Sequence, residues 1–180
     1  PIDQQELVYL FDYENAHFVS LKRNSYGRVH LVQSLCLAMD LAATGRQHIF
    51  VMAHEPAFPV GSHVGKSLDF YPVERDYFWQ TLQARGEKIY FCGHEHFYSR
   101  SVKNGVTQVI NGSCGAPLYT GYVNTIAVYH YVVAQVDGNR VYCWAKNDDG
   151  QVIDSWAYAV PGNQPADFSF AHISDEHFPN

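Results

Sequence analysis

Three short apolar runs in this chain end in groups that can ligate a metal. Lys88-Ile89-Tyr90-Phe91-Cys92 runs into Gly93-His94-Glu95-His96, which sets two imidazoles at i and i+2 behind a glycine. Ile49-Phe50-Val51-Met52-Ala53 ends in His54-Glu55-Pro56, and Phe168-Ser169-Phe170-Ala171-His172-Ile173-Ser174 ends in Asp175-Glu176-His177. Strands of a parallel sheet deliver side chains to a ligand rim at their C-terminal ends, and a glycine lets the backbone come close. If the three strands are parallel neighbours, the rim gathers His54, His94, His96, His177 and Asp175. Nitrogen and oxygen donors without sulfur suit Zn, Fe, Mn or Ni. Five groups exceed what one tetrahedral ion needs, so more than one ion is expected. A pair of ions about 3.5–4 Å apart clamps a phosphoryl group and lowers the pKa of bound water.

Each ending has a plainer reading when taken alone. A histidine before a proline, such as His54, often caps a strand or faces solvent, and Asp-x-His is common by chance. All three endings on apolar runs are harder to obtain by accident. The remaining His17, His30, His48, His130 and His172 read as structural or surface groups. Neither His-Glu pair starts a zincin motif, because neither His54 nor His94 has a second histidine four residues on.

The elements that must position these groups follow from the pattern around them. Leu7–Asp12 and Ala16–Leu21, on either side of Tyr13-Glu14-Asn15, look like a hairpin. Over 28–44, Val29, Val32, Leu35, Cys36 and Met39 fall at helical spacing, with Gly45 as C-cap. His48–Ala53 reads as a buried strand. Residues 58–70 carry Pro, Gly and Ser punctuation and read as a long loop, and a loop just after a candidate ligand is more often functional than idle. Over 73–84 a helix is expected with Tyr77, Phe78, Leu82 and Trp79 on its buried face and Gly86 ending it. Beyond the Gly-His-Glu-His segment, 106–110, 125–136, 140–145 and 152–160 are β-rich. Asp137-Gly138-Asn139 and Asp148-Asp149-Gly150 are hairpin turns between them, and 161–165 is a linker before the last strand.

A chain of 180 residues with 47% hydrophobic content supports one sizeable core and one domain. The net charge of −6 and the absence of a Lys/Arg run make nucleic acid an unfavoured partner. No stretch reaches the length of a membrane span, so no membrane partner is expected. The four cysteines, Cys36, Cys92, Cys114 and Cys143, form no C-x-x-C pair, so a zinc knuckle is not expected. Cys36, Cys92 and Cys143 read as small buried thiols. The first residue is Pro1 rather than Met, which leaves room for an upstream leader or domain.

These motifs resemble those of the calcineurin-like metallophosphoesterases, and among them the purple acid phosphatase branch. The final metal motif of that family is Gly-His-x-His, continued in this branch as x-Tyr-x-Arg, and here it stands as Gly93-His94-Glu95-His96-Phe97-Tyr98-Ser99-Arg100. The preceding motif, His-x-Pro, is matched by His54-Glu55-Pro56. Residues 9–21 look like the hairpin after the family's Asn motif, and Asn111-Gly112-Ser113-Cys114-Gly115-Ala116-Pro117 resembles the loop after the last metal motif.

The resemblance covers roughly residues 5–160. It implies an α/β fold of the metallophosphoesterase type, a β-sandwich flanked by helices (αββα), incomplete in this chain. Residues 1–162 would form the C-terminal portion of the catalytic domain, and 163–180 a linker and a strand with a first-motif-like Asp-x-His. His54 and His94 would hold one ion. His96 would hold the other with Asp175 and His177, the ions being divalent or trivalent Fe, Mn or Zn. A metal-bound hydroxide would attack a small phosphate ester, with phosphomonoesters favoured. His63 falls where the branch has a histidine that contacts substrate, as general acid or phosphate ligand. Arg100 faces the phosphate or forms a structural ion pair. The branch is often secreted or periplasmic, which leaves localisation open, and the oligomeric state is not readable.

Two motifs of the family have no counterpart. Gly-Asp-x-x-Asp, which supplies the carboxylate bridging both ions, is absent, and so is Gly-Asn-His. Asp-x-His, which should come first, comes last. Either the chain is the C-terminal half of a catalytic domain followed by the start of another copy, or it is a permuted or incomplete segment whose last strand fills the place of the first. A bridging role for Asp12 or Asp69 stays open at this point. The alternative function is a catalytically incomplete fragment or pseudoenzyme that binds metal or phosphate. A third is a β-rich structural domain with coincidental histidines.

Overall fold

Strict alternation along His130–Asp137 (β7) and Arg140–Asn147 (β8) turns His130, Val132, Ala134 and Val136 inward, opposite Val141, Cys143 and Ala145. Period-2 patterning of this kind makes a sheet with one buried face. Gly138, at φ 55°, turns the hairpin between them. Val152–Ala159 (β9) pairs with β8, and Asp167–His172 (β10) pairs antiparallel with β7, which gives a four-stranded sheet in the order β10-β7-β8-β9. The computed structural model describes residues 9–21, 30–84, 89–162 and 164–175.

The second sheet has six strands in the order β1-β2-β3-β4-β6-β5: Tyr9–Tyr13 (β1), Ala16–Leu21 (β2), His48–Ala53 (β3), Ile89–Cys92 (β4), Tyr98–Lys103 (β5) and Val106–Asn111 (β6). The inner strands β2, β3, β4 and β6 are parallel, and β1 and β5 pair antiparallel at the edges. Parallel strands need cover on both faces, which is why their sequences are almost continuously apolar. On one face, Phe18, Phe50, Ile89, Phe91 and Val109 pack against the four-stranded sheet. On the other, Val19, Leu21, Val51, Tyr90 and Ile110 pack under two helices, Ser34–Ala43 (α1) and Pro72–Ala84 (α2).

Most of the expected elements are present, with four differences. The helix expected over 28–44 is shorter and faces the other way. Leu37 and Leu41 are its buried pair, whereas Leu35 and Met39 are 67% and 68% exposed and Cys36 is an exposed thiol. Ten residues make under three turns, so one i, i+4 pair is all the sheet can cover. Thr44, not Gly45, caps it in an extended conformation. In α2 the buried side chains are Phe78, Trp79 and Leu82, while Tyr77 is 48% exposed; Gly86 lies outside the described residues. Strand β5 was not evident in the sequence, and the loop over 58–70 contains one 3₁₀ turn, Leu68–Phe70.

The fourth difference bears on the site. β3 and β4 are parallel neighbours, but β10 is not their neighbour at all: it is the edge of the other sheet, antiparallel to β7. Alternating burial along β10 suits a half-covered edge strand, and a parallel inner strand would be buried on both faces. Both described helices lie on the six-stranded sheet, and no described helix covers the outer face of the four-stranded one.

Candidate functional site

The rim forms where β3, β4 and β6 end. The N–H of Gly93 donates to the His54 carbonyl at 2.8 Å, which locks the first two strand ends side by side. His54 Nε2 and His94 Nδ1 then stand 3.0 Å apart. The ring of His63, delivered by the 58–70 loop, lies over His94 with centroids 3.9 Å apart. His96 Nδ1 donates to the Pro117 carbonyl at 2.8 Å, the tautomer that places the lone pair on Nε2. The His96 ring stacks on Tyr119 at 4.2 Å, and Tyr119 also meets the His63 ring at 5.8 Å.

Asp175 reaches this rim from the opposite sheet. The end of β10 is clamped to the end of β6: Asn111 Nδ2 donates to the His172 carbonyl (2.7 Å) and the Cys114 N–H to the Ser174 carbonyl (3.1 Å). The Asp175 carboxylate accepts the His94 N–H at 2.7 Å and the Ser174 hydroxyl at 3.0 Å through Oδ2. Its Oδ1 stands 3.7 Å from Nδ1 of His54, the ring nitrogen opposite the one that faces His94. Two glycines make this crossing possible. A Cβ on Gly93 would collide with the Asp175 carboxylate and the Ser174 hydroxyl, and one on Gly112 would collide with the Glu95 carbonyl. His94 and Asp175 both adopt the left-handed region, at φ 66° and 56°. Strained backbone concentrates where surrounding structure dictates it, often at functional sites.

Burial favours the neutral forms of His94 and His63. Burial, with the neighbouring His63 and His54 rings adding to it, pushes His94 down to about 3. Burial likewise lowers His63, with His96 and Lys66 contributing. Neutral imidazoles offer lone pairs, as metal ligation requires. Glu95, between the two motif histidines, is fully buried. Burial raises its carboxyl, against the opposing N–H groups of His63 and Gly61.

The remaining expected residues are placed as follows. His177 lies outside the described residues. Arg100 gives Nε and Nη2 to Asp154 at 2.6 and 3.2 Å, under the ring of Trp156, and Tyr98 Oη donates to the same carboxylate. Of its two readings, the ion pair is the one with observed partners. Asp12 accepts from His17 and Arg46, and Asp69 accepts the N–H groups of Gly65 and Ser67, so both carboxylates are committed away from the rim. Sequence reasoning missed Tyr119 and the inward turn of Glu95. No local signal marks Tyr119, and Glu95 sits in a motif whose flanking histidines draw the chemistry.

The donor set fits a transition metal in part. Two imidazoles at 2.0–2.1 Å from a tetrahedral ion have nitrogens roughly 3.3 Å apart, near the 3.0 Å between His54 and His94. Among the described residues, no three His, Cys, Asp or Glu side chains are arranged to hold one metal ion. Asp175 lies on the outer-nitrogen side of His54, the side from which carboxylates orient metal-binding imidazoles, at an ion-pair distance of 3.7 Å rather than a hydrogen-bond one.

The architecture is shared with solved structures. A purple acid phosphatase from yellow lupin (Lupinus luteus) seeds superposes with a TM-score of 0.68 at 20% identity, over 88% of this chain and 34% of that one. GAP50, the anchor in the inner membrane complex of Plasmodium, gives 0.64 at 13% identity, over 87% and 54%. PhoD gives 0.53 at 12%, over 82% and 44%. The chain therefore has the metallophosphoesterase fold, of the kind seen in purple acid phosphatase. It spans between about a third and a half of the length of these three structures. No family model matches the sequence, and no curated protein matches it.

Proposed function

We propose that this chain supplies the metal- and phosphate-binding rim of a metal-dependent phosphoesterase that acts on small phosphate esters, with monoesters favoured. The observation that carries this reading is the convergence of His54, His63, His94 and His96 on one rim, with Asp175 brought to it from the other sheet. The fold likeness to a purple acid phosphatase supports it. His54 and His94 would hold one ion, and His96 would face a second, with Asp175 and His177 contributing. Two ions of the Fe, Mn or Zn type are the expected complement. Such ions, when bound, polarise phosphoryl oxygens and acidify water.

The chain's own residues then divide the work. Asp175 fixes the His94 backbone and stands 3.7 Å from the outer nitrogen of His54, placed to orient that ring. His63, lying against the His94 ring and lowered in pKa, offers a neutral imidazole that can accept a proton or a hydrogen bond from the substrate. Tyr119 walls the rim beside His63 and His96. Arg100 would serve substrate only by leaving Asp154.

A second reading is favoured by one observation: Asp12 and Asp69, the carboxylates considered as bridges, are bonded elsewhere. On that reading the chain binds an ion and phosphate without turnover. The two separate in one experiment, hydrolysis of an aryl phosphate monoester and diester by the chain reconstituted with Mn, Fe or Zn. Turnover at an enzymatic rate, lost in His54→Ala, supports a self-sufficient hydrolase. Bound metal and phosphate with no turnover supports the binding module, or a site completed by groups this sequence lacks.

A further inference from the structure

Glu95 behaves unlike the histidines on either side of it. They face the rim, while Glu95 points into the protein and is fully buried. Its Oε1 accepts the backbone N–H of His63 at 2.9 Å, bridging 32 positions of sequence. Its Oε2 rests on Gly61, where a Cβ would collide with the carboxylate and come within 2.7 Å of the Phe97 ring. The backbone of Glu95 is tied down as well, its N–H to the Gly93 carbonyl and its carbonyl to the Phe97 N–H, both at 2.8 Å. The carboxylate is thus a fixed strut from the Gly-His-Glu-His turn to the 61–63 segment.

The rest of the 58–70 loop is secured independently. Phe58 exchanges two backbone hydrogen bonds with the Gln108 amide, at 3.0 and 2.8 Å. Its ring meets Trp79 edge-on and lies between Arg75 and Lys103. At the far end, Asp69 takes the N–H groups of Gly65 and Ser67. The Lys66 N–H and the Ser67 hydroxyl reach the His63 carbonyl at 2.8 and 3.3 Å, which leaves the N–H side of His63 to Glu95. Burying a carboxylate is costly unless hydrogen bonds satisfy it, and the bond made here goes to the residue whose ring covers His94.

We propose that Glu95 is a positioning residue for His63: by holding the His63 backbone and filling the space left by Gly61, it sets that imidazole over His94, where it meets the substrate phosphate. The phosphate contact rests on the function proposed above; the positioning does not. Gly61 is part of the same device, because any side chain there must displace the carboxylate.

The test has two arms. In the metal-free chain, imidazole NMR should show the His63 Cε1 proton shifted by the facing His94 ring. Glu95→Ala should abolish that shift, while Glu95→Gln, which keeps an acceptor oxygen, should retain it. In the zinc-loaded chain, titration with inorganic phosphate should weaken about tenfold in Glu95→Ala and by the same factor in His63→Ala, with no further loss in the double variant, since both remove one coupled contact. Zinc affinity should be unchanged in all three. A His63 ring shift that survives in folded Glu95→Ala overturns the positioning role. So does its loss in folded Glu95→Gln, which also decides the matter should Glu95→Ala fail to fold. Phosphate binding unaffected by His63→Ala overturns the phosphate contact alone and leaves the positioning to the NMR result.

Discussion

The carboxylate of Asp175 accepts the backbone N–H of His94 at 2.7 Å, across 81 positions of sequence and from the opposite sheet. That bond joins the end of a half-covered edge strand to the turn carrying both motif histidines. It holds His94 in the left-handed region and brings a negative charge to the outer nitrogen of His54. Much of the site's geometry hangs on this crossing.

Gly93→Ala should break it. The new Cβ would collide with the Asp175 and Ser174 side chains, and forcing extra volume into a packed site costs about 1–3 kcal/mol. A lowered melting temperature together with weaker zinc binding is expected. Thermal denaturation and calorimetric titration check both, and an unchanged zinc affinity would show that Asp175 does not need its present position.

Asp175→Asn separates charge from geometry. The amide oxygen can still accept from His94, so the fold should persist. Loss of the carboxylate behind His54 should weaken zinc binding by about 10–100-fold, the usual effect of removing an orienting partner. A variant that binds zinc as tightly as the parent chain would show that the carboxylate neither ligates nor orients.

Arg100→Gln distinguishes the two roles open to that residue. Arg100, Asp154 and Tyr98 form one hydrogen-bonded group with Trp156 against the guanidinium. Its loss should cost about 1–3 kcal/mol in a urea melt, since Asp154 is left short of a partner. Phosphate affinity of the zinc-loaded chain should stay within about twofold of the parent value, well below a full hydrogen-bond loss. A large drop in phosphate affinity at unchanged stability would put Arg100 on the substrate instead.

Acid should destabilise the fold, and the sign follows from buried His130 and half-buried His172. Burial pushes His130 and His172 each down to about 4. The unfolded chain, with ordinary histidines near 6.5, binds more protons than the folded one between pH 6.5 and 4. Stability therefore falls as pH falls through that window. His17 acts the other way. Burial opposes its protonation, but hydrogen bonds to Asp12 and Asp40 override it and raise its pKa. Its contribution is full below the unfolded value and is lost as pH rises through the folded one. Urea melts at pH 7 and 4.5 should show lower stability at 4.5, and His17→Gln should widen that difference. Equal or greater stability at pH 4.5 would contradict the assignment of His130 and His172 as neutral.

How much of this was readable beforehand depends on the range of the contacts. His54 and His94 could be found because each ends a continuous apolar strand, and parallel neighbours bring such ends together without further information. The loop after His54 was legible as a local fact, whereas His63 within it was picked out only by the family resemblance. Asp175 does lie at the rim, but not by the layout its motif suggested: the strand before it pairs antiparallel with β7, and no local pattern says which sheet an edge strand joins. Leu37 and Leu41 were passed over in favour of Leu35 and Met39 because a ten-residue helix presents several plausible faces, and its packing partner selects one. Glu95 and Tyr119 take their roles from residues 32 and 23 positions away, respectively, so neither could be read from neighbours.

Metal retention tests the rim most directly. The chain would be reconstituted with Mn, Fe and Zn in turn, dialysed, and its metal content measured beside His54→Ala and His94→Ala. At least one ion per chain should be retained by the parent protein and lost from both variants while their folds persist. No retained metal in the parent chain, or equal retention in the variants, would contradict the assignment of this rim as a metal site.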